Sequence, residues 1–67
     1  MSIAIGQQVK VRRIRERIPD VIVNQLKQNP FGTVTGFKMV DGSSVGLIVQ
    51  LENNLSTWFF EDELEVQ

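Results

Sequence analysis

The stretch that decides the fold is residues 32–51, which read GTVTGFKMVDGSSVGLIVQL. Its first part predicts a strand over residues 32–39, in which Gly32 and Gly36 mark places where the chain bends or another backbone comes close. Asp41-Gly42 is a strong turn dipeptide. The following strand, residues 45–51, is predicted to turn its core side chains to one face: Val45, Leu47, Val49 and Leu51.

Three shorter strands are predicted on either side of this hairpin. Residues 8–12 alternate apolar and polar side chains, which is typical of a strand with one buried face. Residues 56–60 form the fourth strand after a turn at residues 52–54. Residues 61–63 predict a one-turn 3-10 segment, and residues 64–66 the last short strand.

A short helix is predicted between the first two strands. Pro19 and Asp20 suit its first turn, and Asn29-Pro30 ends it. Its buried face is predicted to comprise Ile18, Val21, Ile22, Gln25 and Leu26, of which Gln25 is the polar member. The fold class is therefore all-β: a small five-stranded SH3-like barrel with one inserted helix, forming a single domain over residues 1–67.

Composition excludes most catalytic and metal chemistry. The 67-residue chain has no Cys, no His and no Tyr, so it lacks a thiolate nucleophile, the usual general base and the commonest metal ligands. The serines have no imidazole to activate them. We therefore expect a non-catalytic protein with no catalytic residues, no cofactor and no metal.

Targeting and membrane-spanning patterns are also missing from the sequence. No basic start precedes a long apolar run, and the longest apolar stretch, residues 45–49, is far shorter than the ~20 residues needed to cross a bilayer. We expect a protein that is soluble, intracellular and monomeric when isolated.

Charge is divided unevenly along the chain. Residues 1–38 carry seven basic and two acidic side chains, a net +5, whereas residues 39–67 carry six acidic and no basic ones, a net −6; the two sum to the overall −1. In an SH3-like barrel the first and last strands are antiparallel neighbours, so Lys10, Arg12 and Arg13 are predicted to be neutralised by the acidic end. Arg15 and Arg17 lie beyond the first strand and remain available to a partner.

Three segments together resemble a known family. They are Gly6-Gln7-Gln8-Val9-Lys10-Val11, then Gly32-Thr33-Val34-x-Gly36-Phe37-Lys38-Met39 with Asp41-Gly42, and finally Trp58-Phe59-Phe60-Glu61-Asp62-Glu63-Leu64-Glu65. This combination is similar to the PetP family, the small peripheral SH3-like subunits of the cyanobacterial and red algal cytochrome b6-f complex. The resemblance covers most of the chain, from residue 6 to residue 66.

The resemblance implies an accessory or regulatory role in photosynthetic electron transport. It implies a partner in the cytochrome b6-f complex, at the cytoplasmic side of the thylakoid membrane. We expect docking to be reversible and at least partly electrostatic, because Arg15, Arg17 and Lys38 are not obviously paired within the fold. The alternatives are an SH3-like module of another photosynthetic electron-transfer complex, or a small nucleic-acid-binding barrel. A pI of about 5.2 and the acidic C-terminal part disfavour nucleic acid, so we expect no nucleic-acid partner.

The predicted partner-binding residues are Arg15, Arg17, Lys38, Met39 and Trp58. Strand alternation places Phe59 on the opposite face from Trp58 and Phe60, and the family's ending places Phe59 inward. Trp58 is then either covered by the short helix or partly exposed as an interface anchor. The sequence favours the covered arrangement, because a domain this small depends for its stability on burying its largest apolar side chain.

Overall fold

The structure is a computed structural model that describes residues 3–14, 18–40, 42 and 44–67. In chain order its elements are β1 (Gln8–Val11), α1 (Asp20–Gln28), β2 (Phe31–Val40), β3 (Ser44–Gln50), β4 (Ser56–Phe59), a 3-10 turn (Glu61–Glu63) and β5 (Leu64–Val66). These elements confirm the predicted order, including the helix between the first two strands and the 3-10 turn before the last.

The five strands form one antiparallel sheet in the order β4-β3-β2-β1-β5. Within the described residues β4 and β5 are its two edges, so the sheet is open in its hydrogen bonding while curling into a small barrel-like fold. β1 pairs with β5, and Lys10 lies opposite Glu65. The predicted fold class and the pairing of the first and last strands are both confirmed.

The core lies on the inner face of the curled sheet and is closed by the helix. Val9, Val34, Val49 and Phe59 are fully buried, which confirms that Phe59 points inward. The helix adds Ile22 and Leu26 to the same apolar cluster. This shared core supports a nine-residue helix that is too short to be stable alone.

The predicted burial of two residues, Val21 and Val45, is wrong. Val21 is 57% exposed, because it lies on the solvent side of a helix whose buried residues are Ile22, Gln25 and Leu26. Val45 shares the inner face with Leu47 by alternation but is 49% exposed. It lies beyond the part of β3 that β4 covers, since β4 pairs only with residues 47–50.

The two glycines of β2 occupy positions with different structural requirements. A Cβ atom built on Gly32 would lie 2.6 Å from Val49 Cγ1 and 2.8 Å from the Gln50 carbonyl oxygen, so a neighbouring backbone approaches closely. Gly36 lies beside a register shift between β2 and β3, where an extra residue bends the strand. Both predictions for these glycines are confirmed.

Polar side chains join the helix to the turn between β3 and β4. The buried Gln25 accepts a hydrogen bond from Asn53 Nδ2 through its Oε1 at 3.0 Å, and Asn29 Nδ2 donates to Glu52 Oε1. Asn53 and Asn54 both have positive φ, a conformation that asparagine tolerates in turns. Gln25, the polar member of the helix face, therefore joins the helix to this turn by a hydrogen bond.

Gly32→Ala should destabilise the fold by about 1–3 kcal/mol, the usual range for overpacking a core, because its Cβ would collide with Val49 and with the backbone of Gln50. Urea denaturation followed by circular dichroism measures this loss. Gly36→Ala is the matched control, since its Cβ would lie 3.7 Å from Ile48 Cδ1. Equal stability of the two variants would contradict the close approach at Gly32.

Candidate docking surface

The β2–β3 hairpin extends past the strands on either side of it. β1 pairs only with residues 31–33 of β2, and β4 pairs only with residues 47–50 of β3. Residues 38–40 and 44–46 therefore form a two-stranded ribbon, which we term the hairpin arm. Phe37 lies at its base, opposite Leu47.

Lys38 and Trp58 lie on the outer face of the sheet, on either side of Gly46. Lys38 is exposed and lies opposite Gly46, and a Cβ atom on Gly46 would be only 2.7 Å from Trp58 Cε3. The indole therefore lies over Gly46, in the space that any larger residue would occupy. Trp58 also meets Phe60 edge to face, with 5.0 Å between ring centroids.

Trp58 is half-buried, which differs from the arrangement favoured by the sequence. The helix directs Ile22 and Leu26 into the core cluster, and the indole is covered on one side by Gly46 and Phe60. The remaining exposed part of Trp58 lies on the same outer face as Lys38. These two predicted partner-binding residues thus share one face of the sheet.

Met39 lies on the opposite, inner face of the hairpin. It is paired with Val45, and together with Phe37 these side chains form an apolar patch that projects past the core. Their exposed fractions are 63% for Met39, 49% for Val45 and 47% for Phe37. Sequence reasoning missed Phe37 and Val45, although the spacing of residues 37 and 39 already placed them on one face.

Of the three cations predicted to be neutralised by the acidic end, Arg13 forms an ion pair there, Arg12 bonds to a backbone carbonyl, and Lys10 lies opposite Glu65. Arg12 Nε donates a hydrogen bond to the Asp62 carbonyl oxygen at 2.9 Å. The Arg13 guanidinium lies 3.8 Å from Asp62 Oδ2 in an exposed ion pair, of a kind that contributes little to stability. Arg15 and Arg17, the other predicted partner-binding cations, lie outside the described residues.

Glu63 fixes the segment that follows Trp58. This carboxylate is 5% exposed, and its Oε1 accepts a hydrogen bond from the Phe60 N–H at 2.8 Å. The bond closes the 3-10 turn on itself and holds Phe60 in an extended conformation at the turn's start. Phe60 is thereby positioned against the Trp58 ring.

The described residues form neither a metal cluster nor a membrane-spanning helix. No three His, Cys, Asp or Glu side chains among them come together as a metal site would require. No helix among them has the length and apolar character needed to cross a bilayer. An open depression of about 380 Å³ lies beside Phe31 and Gly32. The other residues that line it are Gln8, Asn29, Thr33, Gln50, Leu51 and Glu52.

The described residues thus form a small SH3-like barrel with an exposed arm, which carries a cation on its outer face and apolar side chains on its inner face. Residues 5–65 match the family model described as "Cytochrome b6f, subunit Tsr0524-like". The chain therefore belongs to this family of cytochrome b6f subunits, and the predicted resemblance is confirmed.

Two relatives agree with this assignment. A solved structure titled "Solution structure of the cyanobacterial cytochrome b6f complex subunit PetP" is 52% identical, with a TM-score of 0.78 over 97% of this chain and 80% of that chain. A protein of Porphyra purpurea, described as "Uncharacterized protein ORF65", is 30% identical over 60 residues, which are 90% of this chain and 89% of that protein. These similarities favour a cytochrome b6f subunit over the nucleic-acid alternative.

Gly46→Ala should expose Trp58 without unfolding the protein. The new Cβ would lie 2.7 Å from Trp58 Cε3, and a side-chain ring can move away where a backbone could not. We expect the fluorescence maximum to shift to longer wavelength and quenching by acrylamide to increase. Gly36→Ala serves as the control, and an unchanged spectrum for Gly46→Ala would show that the indole does not rest on Gly46.

Proposed function

We propose that this chain is a non-catalytic accessory subunit that docks onto the cytochrome b6f complex at the cytoplasmic side of the thylakoid membrane. The observation that carries the proposal is the family match over residues 5–65. The absence of Cys and His from the sequence supports a regulatory rather than a chemical contribution to the complex.

We assign docking to the hairpin arm and the outer face beside it. Met, Phe and Trp are enriched in protein interfaces, and Phe37, Met39 and Trp58 each present a partly exposed side chain here. The core gains little from Met39, which is 63% exposed. Solvent exposure of such side chains in a small domain is best explained by a partner that covers them.

Lys38 supplies the electrostatic part of the proposed docking. Its side chain is exposed on the same face of the sheet as the half-buried indole, whereas Arg12 and Arg13 turn to Asp62. Lys38 is also the only basic residue between residues 28 and 67. A partner surface with acidic groups would therefore be attracted to this face, and Arg15 and Arg17 belong to the same proposal as additional cations.

Recovery of cytochrome b6f subunits from solubilised thylakoids by the tagged protein tests the assignment. We expect the recovery to fall with rising salt because charge attraction is screened. Lys38→Glu should reduce recovery about fivefold at low salt, equivalent to ~1 kcal/mol for an exposed charge contact. Lys27→Glu is the matched control, since Lys27 is exposed on the helix.

The outcomes separate the parts of the proposal. Failure to recover cytochrome b6f subunits at any ionic strength would overturn the partner. Recovery that is indifferent to salt would overturn the electrostatic part. If the Lys38 and Lys27 variants lose recovery of cytochrome b6f subunits equally, the docking surface does not lie on the arm.

A further inference from the structure

Among the described residues, no strand lies beside one edge of β2 along the hairpin arm. β1 pairs with residues 31–33 of β2, and the N-terminal segment adds one more residue, because Gly6 N–H donates to the Val34 carbonyl and Val34 N–H donates to Gln7. Beyond Val34, no described residue pairs with this edge. The other edge of β2 is paired with β3 as far as Val40.

The antiparallel pattern determines which backbone groups face the open edge. Val34 directs its N–H and carbonyl toward the N-terminal segment, away from β3. The register shift inserts one residue after Val34. The backbone N–H and carbonyl groups of Phe37 and Met39 therefore also point away from β3, whereas those of Lys38 point toward Gly46. In such a pattern, alternate residues bond to opposite neighbours. Phe37 and Met39 thus offer two N–H and two carbonyl groups to an added strand.

The side chains along this edge indicate which kind of strand would be complementary to it. Phe37 and Met39 project to the inner face, where both are about half exposed or more, and Lys38 projects to the outer face. A fitting strand has apolar side chains on one face and an acidic side chain on the other, opposite Lys38. Backbone bonds would supply affinity, and these alternate side chains would supply specificity.

Lys38 also disfavours a second copy of this chain as the occupant. Two β2 edges paired antiparallel about their centres would place Lys38 next to its counterpart. Like charges directly opposite each other across strands are destabilising, and lysine on an exposed edge is a common protection against self-pairing. An acidic strand of another protein satisfies the same edge without that repulsion.

We propose that the open β2 edge of the hairpin arm receives an extended, acidic and apolar segment of a cytochrome b6f subunit by β-strand addition. This inference rests on the proposed function, because it specifies how the docking surface engages its partner. The added strand would continue the sheet beyond β2, alongside the part of β2 that follows Val34.

The comparison of Met39→Pro with Met39→Ala tests the backbone contribution. Proline removes the N–H that faces the open edge, and edge strands tolerate it there, whereas alanine removes only the side chain. We expect Met39→Pro to lower recovery of solubilised cytochrome b6f complex about tenfold further than Met39→Ala, as loss of backbone bonding to the added strand predicts. Thermal unfolding of both variants checks that the barrel remains intact.

Amide hydrogen exchange of the unmodified protein provides an independent measurement. In the isolated chain, the amides of Phe37 and Met39 should exchange faster than those of Lys38 and Val40, which bond to β3. Addition of the solubilised complex should then slow exchange at residues 37 and 39 selectively. This measurement does not depend on the stability of any variant.

The outcomes of these experiments distinguish failure of the proposed function from failure of strand addition. If the unmodified protein fails to recover the complex, the proposed function is overturned. If it recovers the complex but the Pro and Ala variants lose equally, or residues 37 and 39 gain no protection, strand addition is overturned. Protection that appears on concentrating the isolated protein would assign the edge to a second copy, and protection by lipid vesicles alone would assign it to a membrane; either result also overturns the proposal.

Discussion

The pairing of β2 with β3 is the interaction on which the rest of the structure depends. It runs from Thr33 opposite Gln50 to Val40 opposite Ser44, the longest register among the described strands. Its first half builds the core, because Val34 and Val49 are fully buried opposite each other. Its second half leaves the core and becomes the hairpin arm. One hairpin therefore supplies both the stability and the proposed docking surface of a 67-residue chain.

Close backbone approach allows this hairpin to serve both purposes. At Gly32 the missing side chain lets β2 come against Val49 and Gln50 on the core side, and at Gly46 it lets the Trp58 ring lie on the outer face of β3. The extra residue beside Gly36 bends β2 between these two points. The bend separates the paired body of the sheet from the arm. The glycines thus shape the sheet without contributing to the surface that a partner would meet.

The net charge of −1 conceals two different uses of charge in the fold. Arg12 and Arg13 are drawn to Asp62 by the pairing of β1 with β5, so part of the basic first half is used within the molecule. Lys38 lies instead on the hairpin arm, opposite Gly46, and not on β1 or β5. That position makes Lys38 the distinguishing charge of the proposed surface, and it also protects the open strand edge from self-association.

The sequence by itself determined the five strands, the helix from Asp20 and the 3-10 turn, because these follow from local periodicity and turn chemistry. Alternation placed Phe59 opposite Trp58 and Phe60, and the resemblance to the family's ending assigned it to the inner face. The sequence also placed Lys38 and Met39 in the proposed surface. The tertiary structure decided that these two residues lie on opposite faces, that Val45 is exposed and that Trp58 rests on Gly46. Alternation along one strand specifies its two faces, but only the lengths of the neighbouring strands decide how much of each face is covered. The open edge of β2 is a property of that kind, since it exists because β1 ends its pairing at Thr33 while β2 continues to Val40.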